Sequence, residues 1–468
     1  MTNYEAIIGG RKVDAEQHIE VINPATEELV GTCPDCTDEQ LEAAVAAANK
    51  AFKTWSKTPD QSRVDALNAM ADFVEANAEE LAQLLTQEQG KPLNGLGSRF
   101  EIEGCIGWLR ATAGMSLPVK TLEDSDEREA LLLRKPVGVV ASITPWNWPL
   151  MIAIWHLAPA IRTGCTVVVK PASLTPLSTL RLVEILNEAL PAGVLNVVTG
   201  DVGHKLPSHP GIDKVVFTGS TPVGRKVMAN AADGLKRLTL ELGGNDAGIL
   251  LPDANIADMA EGIFWGAFIN NGQTCAALKR LYVHESQYEE VCAALTEIAA
   301  NMPVGNGLDE NNIFGPVQNK KQFNLVTELV EDAKAQGGRV LCGGQPQGGE
   351  GFFYPLTLVA DVKDGMRLVD EEQFGPALPI IKYTDIDDVI ERANASEFGL
   401  GGSVWSTDIE KAKEVAAQID SGSVWINGHG QVLPHVPFGG VKSSGIGVEF
   451  GIEGLEEYTT TQSMHIPK

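Results

Sequence analysis

Seven cysteines are scattered singly along a chain of 468 residues, and one of them, Cys275, stands where a thiol could serve as a nucleophile. Asn270-Asn271-Gly272-Gln273-Thr274 before it and Ala276 after it are small or polar, so the backbone is free to bend and the sulfur can stay within reach of a substrate. Read alone, a single cysteine is more often a small core residue, which is how the other six read. Cys33-Pro34-Asp35-Cys36 lacks the second Cys/His pair that a zinc site needs, so no metal is expected. Glu241, in Leu240-Glu241-Leu242-Gly243-Gly244-Asn245, is an acid in an apolar, glycine-rich run; burial would raise its pKa toward that of a general base. A lone acid in such a run is also commonly a hydrogen-bonded structural group. Asn147 lies in Thr144-Pro145-Trp146-Asn147-Trp148-Pro149, where two prolines and two indoles stiffen the chain, and a rigid amide is a suitable oxyanion donor. Asn near Pro equally caps its own turn.

A fourth feature could hold phosphate. Val215-Val216-Phe217 reads as a buried strand, and Thr218-Gly219-Ser220-Thr221-Pro222-Val223-Gly224 follows it into a helix. That puts glycines five apart at a helix N-terminus, where backbone N–H groups attract anions. No Gly-Lys-Ser/Thr follows and the spacing is not the usual dinucleotide fingerprint. By itself the segment is equally a tight strand–helix turn.

The elements that must position these groups are legible in outline. Thr37 and Gln40 form a capping-box signal, after which Leu41, Val45, Ala48, Phe52 and Trp55 share one helical face. Further helices are expected through Val64–Val74 and Leu81–Leu85. From residue 131 short Val/Ile-rich runs alternate with helices: 137–143, 166–169, 195–198, 215–217 and 249–251. That pattern suits a parallel sheet covered on both faces. A second α/β stretch runs from about 255 to 430, with helices expected at 287–300 and 322–336 and strands at 378–382 and 422–426. The Thr-rich C-terminal tail reads as an extended strand able to pair with a sheet edge of another subunit.

Composition narrows the classes of function. The net charge of −26, from 62 acidic and 36 basic residues, disfavours nucleic acid and anionic membrane surfaces as partners. An odd number of thinly spread cysteines is not a disulfide framework, and the first residues lack a signal-peptide pattern. A cytoplasmic location is therefore expected. Length and composition suit a multidomain globular enzyme.

Taken in order, the Asn147 segment, Lys170-Pro171-Ala172-Ser173, the Gly219 turn, the Glu241 segment, Cys275, Glu372-Gln373-Phe374-Gly375-Pro376 and Pro437-Phe438-Gly439-Gly440 resemble the aldehyde dehydrogenase superfamily over nearly the whole chain. Asn23-Pro24-Ala25-Thr26 and Gly90-Lys91-Pro92-Leu93 look like family segments too. The resemblance implies an α/β fold with a Rossmann-like cofactor domain (1–117 and 137–245), a catalytic α/β domain (246–443) and a small β oligomerisation unit (118–136 and 444–468), assembled as a homodimer or homotetramer. It implies that Cys275 attacks an aldehyde, that its backbone N–H and Asn147 hold the oxyanion, and that Glu241 activates the water that hydrolyses the thioester. Family members that pass the acyl group to coenzyme A typically lack an acid at that place.

The same resemblance implies NAD or NADP as cofactor. Trp146, Lys170, Ser173, Gly203 and Gly219 belong to its binding site on one side, and Ser220, Gly224, Leu242, Glu372 and Phe374 on the other. Ser173 is a departure: NAD-preferring members commonly carry a Glu there for the adenosine ribose, and its loss removes repulsion against a 2′-phosphate. Trp148, Met151, Ile152 and Trp155, with Val432 and Leu433, are expected to line an apolar substrate funnel. An Arg occupies the place of Trp155 in the succinic-semialdehyde branch, so an uncharged aromatic or medium-chain aldehyde is expected. Two other classes stay open: a cysteine acyl-transfer or hydrolytic enzyme without redox chemistry, and a structural member of the fold with no activity.

Overall fold

A computed structural model describes residues 2–468. Two large mixed sheets form its frame. In the first, the strands run in the order Gly445–Ile446, Arg237–Glu241, Lys214–Thr218, Val139–Ile143, Thr166–Lys170, Leu195–Val197, Ala6–Ile8 and Arg11–Val13. The five strands from Arg237–Glu241 to Leu195–Val197 pair in parallel, with antiparallel strands only at the edges. Their Val-rich segments are buried throughout, as strands covered by helices on both faces must be.

The second sheet runs Arg339–Cys342, Thr357–Val362, Ala377–Tyr383, Leu278–His284, Asp246–Leu250, Gly401–Trp405 and Ser423–Ile426. The expected run 249–251 thus belongs to this second layer. Arg339–Cys342 and Thr357–Val362 were not expected; a register shift in each pairing interrupts their alternation. The capping box forms as read: Thr37 N donates to Gln40 Oε1 at 2.9 Å, and Gln40 N to Thr37 Oγ1 at 3.4 Å, opening the helix Asp38–Trp55.

A third, three-stranded antiparallel sheet joins Lys120–Asp124, Arg128–Pro136 and Thr459–Pro467. The tail therefore pairs within its own chain, over nine residues. Gly445–Ile446 hydrogen-bonds onto Arg237–Glu241 of the first sheet, and a helix, Gly451–Glu456, separates it from the tail strand. No helix among the described residues is long and apolar enough to cross a membrane.

Candidate active site

Glu241 ends a parallel strand and is flanked on both sides, register-paired with Thr218 and with Gly445. Gly219 N donates to its carbonyl at 2.9 Å, so the glycine turn and the acid are fixed to each other. Its carboxylate is buried, and neither oxygen has a hydrogen-bond partner. Burial pushes this carboxyl well above the usual range, and the negative charge of buried Glu449 pushes it further. An unpartnered acid aimed into a site is suited to take a proton.

Behind it lies a polar nest that the sequence did not disclose. Glu449 Oε1 is 3.2 Å from His156 Nε2, while the same ring meets Thr218 Oγ1 at 3.0 Å and Ser142 Oγ at 2.9 Å. Glu449 lies 293 residues from His156, and nothing local marks either one.

Cys275 follows a turn that only particular residues tolerate. Asn270, Asn271 and Gly272 all have left-handed φ, of 51°, 57° and 69°. Asn adopts that region more readily than other side chains, and at Gly272 a Cβ would come within 2.4 Å of the Gly375 carbonyl. Side-chain amides hold the turn. Asn270 Nδ2 donates to the Asn147 carbonyl at 2.8 Å, Asn147 Nδ2 donates to the Gln273 carbonyl at 2.9 Å, and Gln318 N donates to Gln273 Oε1 at 2.9 Å. Asn147 is thus tied to a residue two positions before the thiol.

Cys275 is half-buried, the other cysteines apart from Cys342 being buried. Burial pushes its thiol up to about 12; nearby Lys279 opposes, while Glu241, Asp246 and Glu372 add to the rise. The charge of Glu241 therefore bears directly on the thiol. Lys279 Nζ donates to the carbonyls of Cys275 and Gly244 at 2.6 and 3.0 Å, and to Glu372 Oε1 at 2.9 Å.

The Asn147 segment is held from below by a buried ion pair, Lys91 with Glu101. Lys91 Nζ also donates to the Asn147 carbonyl at 2.9 Å and sits 3.6 Å from the Trp148 ring centre. Glu101 Oε1 accepts the N–H groups of Leu150 and Met151 at 2.9 and 3.0 Å, capping the helix Pro149–Thr163 that leaves the segment. Lys91→Met leaves a buried carboxylate uncompensated, a loss of about 3–5 kcal/mol. The expected outcome is an apparent midpoint of thermal unfolding lower by about 5 °C or more, read by scanning calorimetry at a fixed rate.

The residues expected to hold a dinucleotide fit that group. The Lys170 ammonium is driven down by burial, with only distant charges and no hydrogen bond acting on it, and a Cβ on Gly203 would strike its methylenes at 2.8 Å. Ser220 opens the helix Thr221–Ala231 without capping it, leaving its hydroxyl free, and Gly224 passes so close to Leu242 that a Cβ would meet it at 2.4 Å. Glu372 uses Oε1 for Lys279 and Gly244 N, while Oε2 faces Gly243. Phe374, at φ 45°, meets the Trp146 ring edge-on at 5.3 Å. Ser173 is exposed.

The funnel residues separate. Trp155 and Val432 pack with Cys275 on one cluster built from Ala276, Leu400, Phe438 and Phe450, joined by Trp108 and Trp425. Trp108, Trp155 and Phe450 form a ring triangle with centroid distances of 5.5, 5.4 and 4.8 Å. Phe450 holds φ 63° and ψ 169°, a conformation rare for a bulky residue that persists only where its surroundings fix it. Met151 and Ile152 lie buried in the large core cluster around the first sheet; Trp148 belongs to that cluster too but donates its indole N–H to Thr274 Oγ1 at 2.9 Å, next to Cys275, and Leu433 is 48% exposed. Trp108 and Phe450 were missed; the buried stripe of the helix Ser98–Ala113 runs through Ile102, Cys105, Leu109 and Ala113, and Trp108 lies off it, half-buried.

Comparison with known proteins came out consistently. The model of the "Aldehyde dehydrogenase family" matches residues 12–464. A phenylacetaldehyde dehydrogenase of Pseudomonas fluorescens is 42% identical, covering 99% of this chain and 96% of its own. Among solved structures, an NAD+ complex of aldehyde dehydrogenase from Bacillus cereus superposes with a TM-score of 0.96 at 37% identity, covering 100% of this chain and 97% of that one. An NADP-dependent enzyme of E. coli superposes at 0.97 with 36% identity, covering 100% and 98%.

Proposed function

The chain belongs to the aldehyde dehydrogenase family and oxidises aldehydes with NAD or NADP; from that premise we propose that Cys275, Glu241 and Asn147 carry the reaction and that its substrate is an uncharged aromatic or medium-chain aldehyde. The observation that carries this reading is the convergence of three distant segments: the Asn147 amide bonded to Gln273, the thiol two residues on, and the Glu241 charge acting on that thiol.

In this reading the Cys275 sulfur forms a bond to the carbonyl carbon as its proton passes to solvent water. The carbonyl oxygen becomes an oxyanion held by the Asn147 amide and the Cys275 N–H. Bound NAD or NADP would supply the hydride acceptor for that carbon, and loss of the hydride would leave a thioester on Cys275. Glu241 takes a proton from water, the water oxygen adds to the thioester carbon, and the C–S bond breaks to release the acid and restore the sulfur. Lys170 and Ser220 would hold the phosphates, and Glu372 Oε2 the nicotinamide ribose. Homodimer or homotetramer assembly and a cytoplasmic location remain expectations of the family resemblance.

The triangle of Trp108, Trp155 and Phe450 beside Cys275 supports an aromatic or apolar acyl group, since such a wall rewards apolar area and disfavours a desolvated charge. The name of the Pseudomonas fluorescens relative points the same way. Ser173 supports use of NADP, because no carboxylate at that place repels a 2′-phosphate. One experiment tests both: steady-state kinetics with phenylacetaldehyde, benzaldehyde, hexanal and succinic semialdehyde, each with NAD and with NADP. The expected order puts succinic semialdehyde last, and NADP is used at no less than about a hundredth of the efficiency of NAD, a gap of about 2.7 kcal/mol. Succinic semialdehyde ranking first, or a wider cofactor gap, refutes the corresponding half.

A further inference from the structure

Beside the Cys275 turn lies a second buried acid–base pair that oxidation and hydrolysis leave idle. The side chains of His429 and Asp246 are fully buried, with His429 Nε2 3.5 Å from Asp246 Oδ2. Neither of these two atoms has a hydrogen-bond partner, and their separation is in the range of an ion pair rather than of a hydrogen bond. The other ring nitrogen, Nδ1, lies 2.9 Å from Ser403 Oγ, which also accepts the Trp405 indole N–H at 2.9 Å. With its oxygen already receiving that proton, Ser403 can donate its own O–H to Nδ1. The imidazole proton is then on Nε2, facing Asp246. Asp246 Oδ1 accepts Gly401 N–H at 3.1 Å, so Oδ2 depends on His429 alone. A buried carboxylate oxygen in that situation costs free energy unless the donor is kept against it.

The pair bridges segments that matter to the reaction. Asp246 opens the strand Asp246–Leu250, five residues after Glu241, and lies 2.9 Å from where a Cβ would stand on Gly244, whose carbonyl Lys279 holds. His429 belongs to the loop that follows the strand Ser423–Ile426 and that carries Val432 onto the Cys275 cluster. Asn427 fixes the root of the loop through paired 2.9 Å bonds with Ser406, and the Trp425 indole donates to the Gln431 carbonyl at 2.8 Å. Between these ties His429 packs over Gly266, where an added Cβ would strike the His429 Cβ at 2.8 Å and the ring at 3.4 Å. Asn427 itself is left-handed, at φ 53°, a region that Asn adopts more readily than other side chains, so the turn at the root of the loop suits its residue.

We propose that His429 is a positioning residue for aldehyde binding: clamped between Ser403 and Asp246, its imidazole locks the loop 427–433 and thereby sets Val432 at the mouth of the reactive pocket. This rests on the aromatic-pocket reading above. The test uses the purified full-length enzyme with phenylacetaldehyde and NAD. His429→Gln can place an amide N–H near the position of Nε2, whereas His429→Asn reaches only the position of Nδ1. The expected result is that His429→Asn raises the aldehyde KM about tenfold, with kcat within about threefold and the KM for NAD unmoved. His429→Gln keeps the aldehyde KM within about threefold of the unaltered enzyme. A ring that merely fills space would give both variants the same shift. Equal KM values in the two variants, or a fall in kcat at unchanged KM, overturns the proposal. If neither variant folds, Asp246→Asn, which preserves shape, must reproduce the tenfold rise, and an unchanged KM there overturns it as well. Failure of the pocket reading would show separately, in the substrate order of the unaltered enzyme.

Discussion

Cys275→Ser is expected to lower kcat/KM for aldehyde oxidation by about 10⁴-fold or more, above about 5 kcal/mol of transition-state stabilisation. The thiol is already difficult to ionise. Pushed up to about 12 from the ordinary 9.0, chiefly by burial, it is about 4 kcal/mol harder to deprotonate than a free cysteine. What makes attack feasible is that sulfur is intrinsically nucleophilic and a better acid than any alcohol. A serine hydroxyl in the same burial loses both advantages, and its acyl product is an ester, which water cleaves less readily than a thioester.

The measurement is the rate of reduced-cofactor formation, paired with the dissociation constant for NAD. That constant should stay within about twofold, because the substituted atom lies outside the cofactor residues. Iodoacetamide should modify Cys275 in the unaltered enzyme and leave the variant's corresponding peptide unchanged. Retention of more than about a tenth of the activity would remove Cys275 from the chemistry. A Cys275 that resists iodoacetamide while activity is high would favour a non-covalent route.

The layered α/β architecture was legible because strands buried on both faces must be apolar along their whole length. Val139–Ile143, Thr166–Lys170 and Lys214–Thr218 meet that demand with runs of Val. The Thr37 box was legible because both of its partners lie within one helical turn. What stayed hidden depends on distance in the chain. Lys91 and Glu101 look like ordinary surface charges until folding removes water from both. Glu449, Phe450 and His429 gain their significance from elements more than 150 residues away. Along the apolar stripe expected to line a funnel, Trp155 packs on the Cys275 cluster and Trp148 bonds to Thr274, whereas Met151 and Ile152 turn into the core around the first sheet, since a helix packed on two sides is apolar well beyond one face.

Glu241→Gln separates the two halves of the reaction. Loss of a positioned general base costs about 10²–10⁴-fold, and it should fall on hydrolysis, so rapid mixing with saturating aldehyde and NAD is expected to show a burst of about one reduced cofactor per active site before a slow steady state. A slow reaction without a burst would move Glu241 to the acylation half. The pH dependence gives an independent check. Glu241 acts as a base only when ionised, and its raised pKa means that hydrolysis gains rate as pH climbs through that elevated value and loses it as pH falls. Burial is the larger cause of the rise and the charge of Glu449 the second. Glu449→Gln removes the second cause alone, so the acid limb of kcat should move to lower pH yet stay above the ordinary carboxylate range. A limb that does not move would mean that the Glu449 charge is not felt at the base.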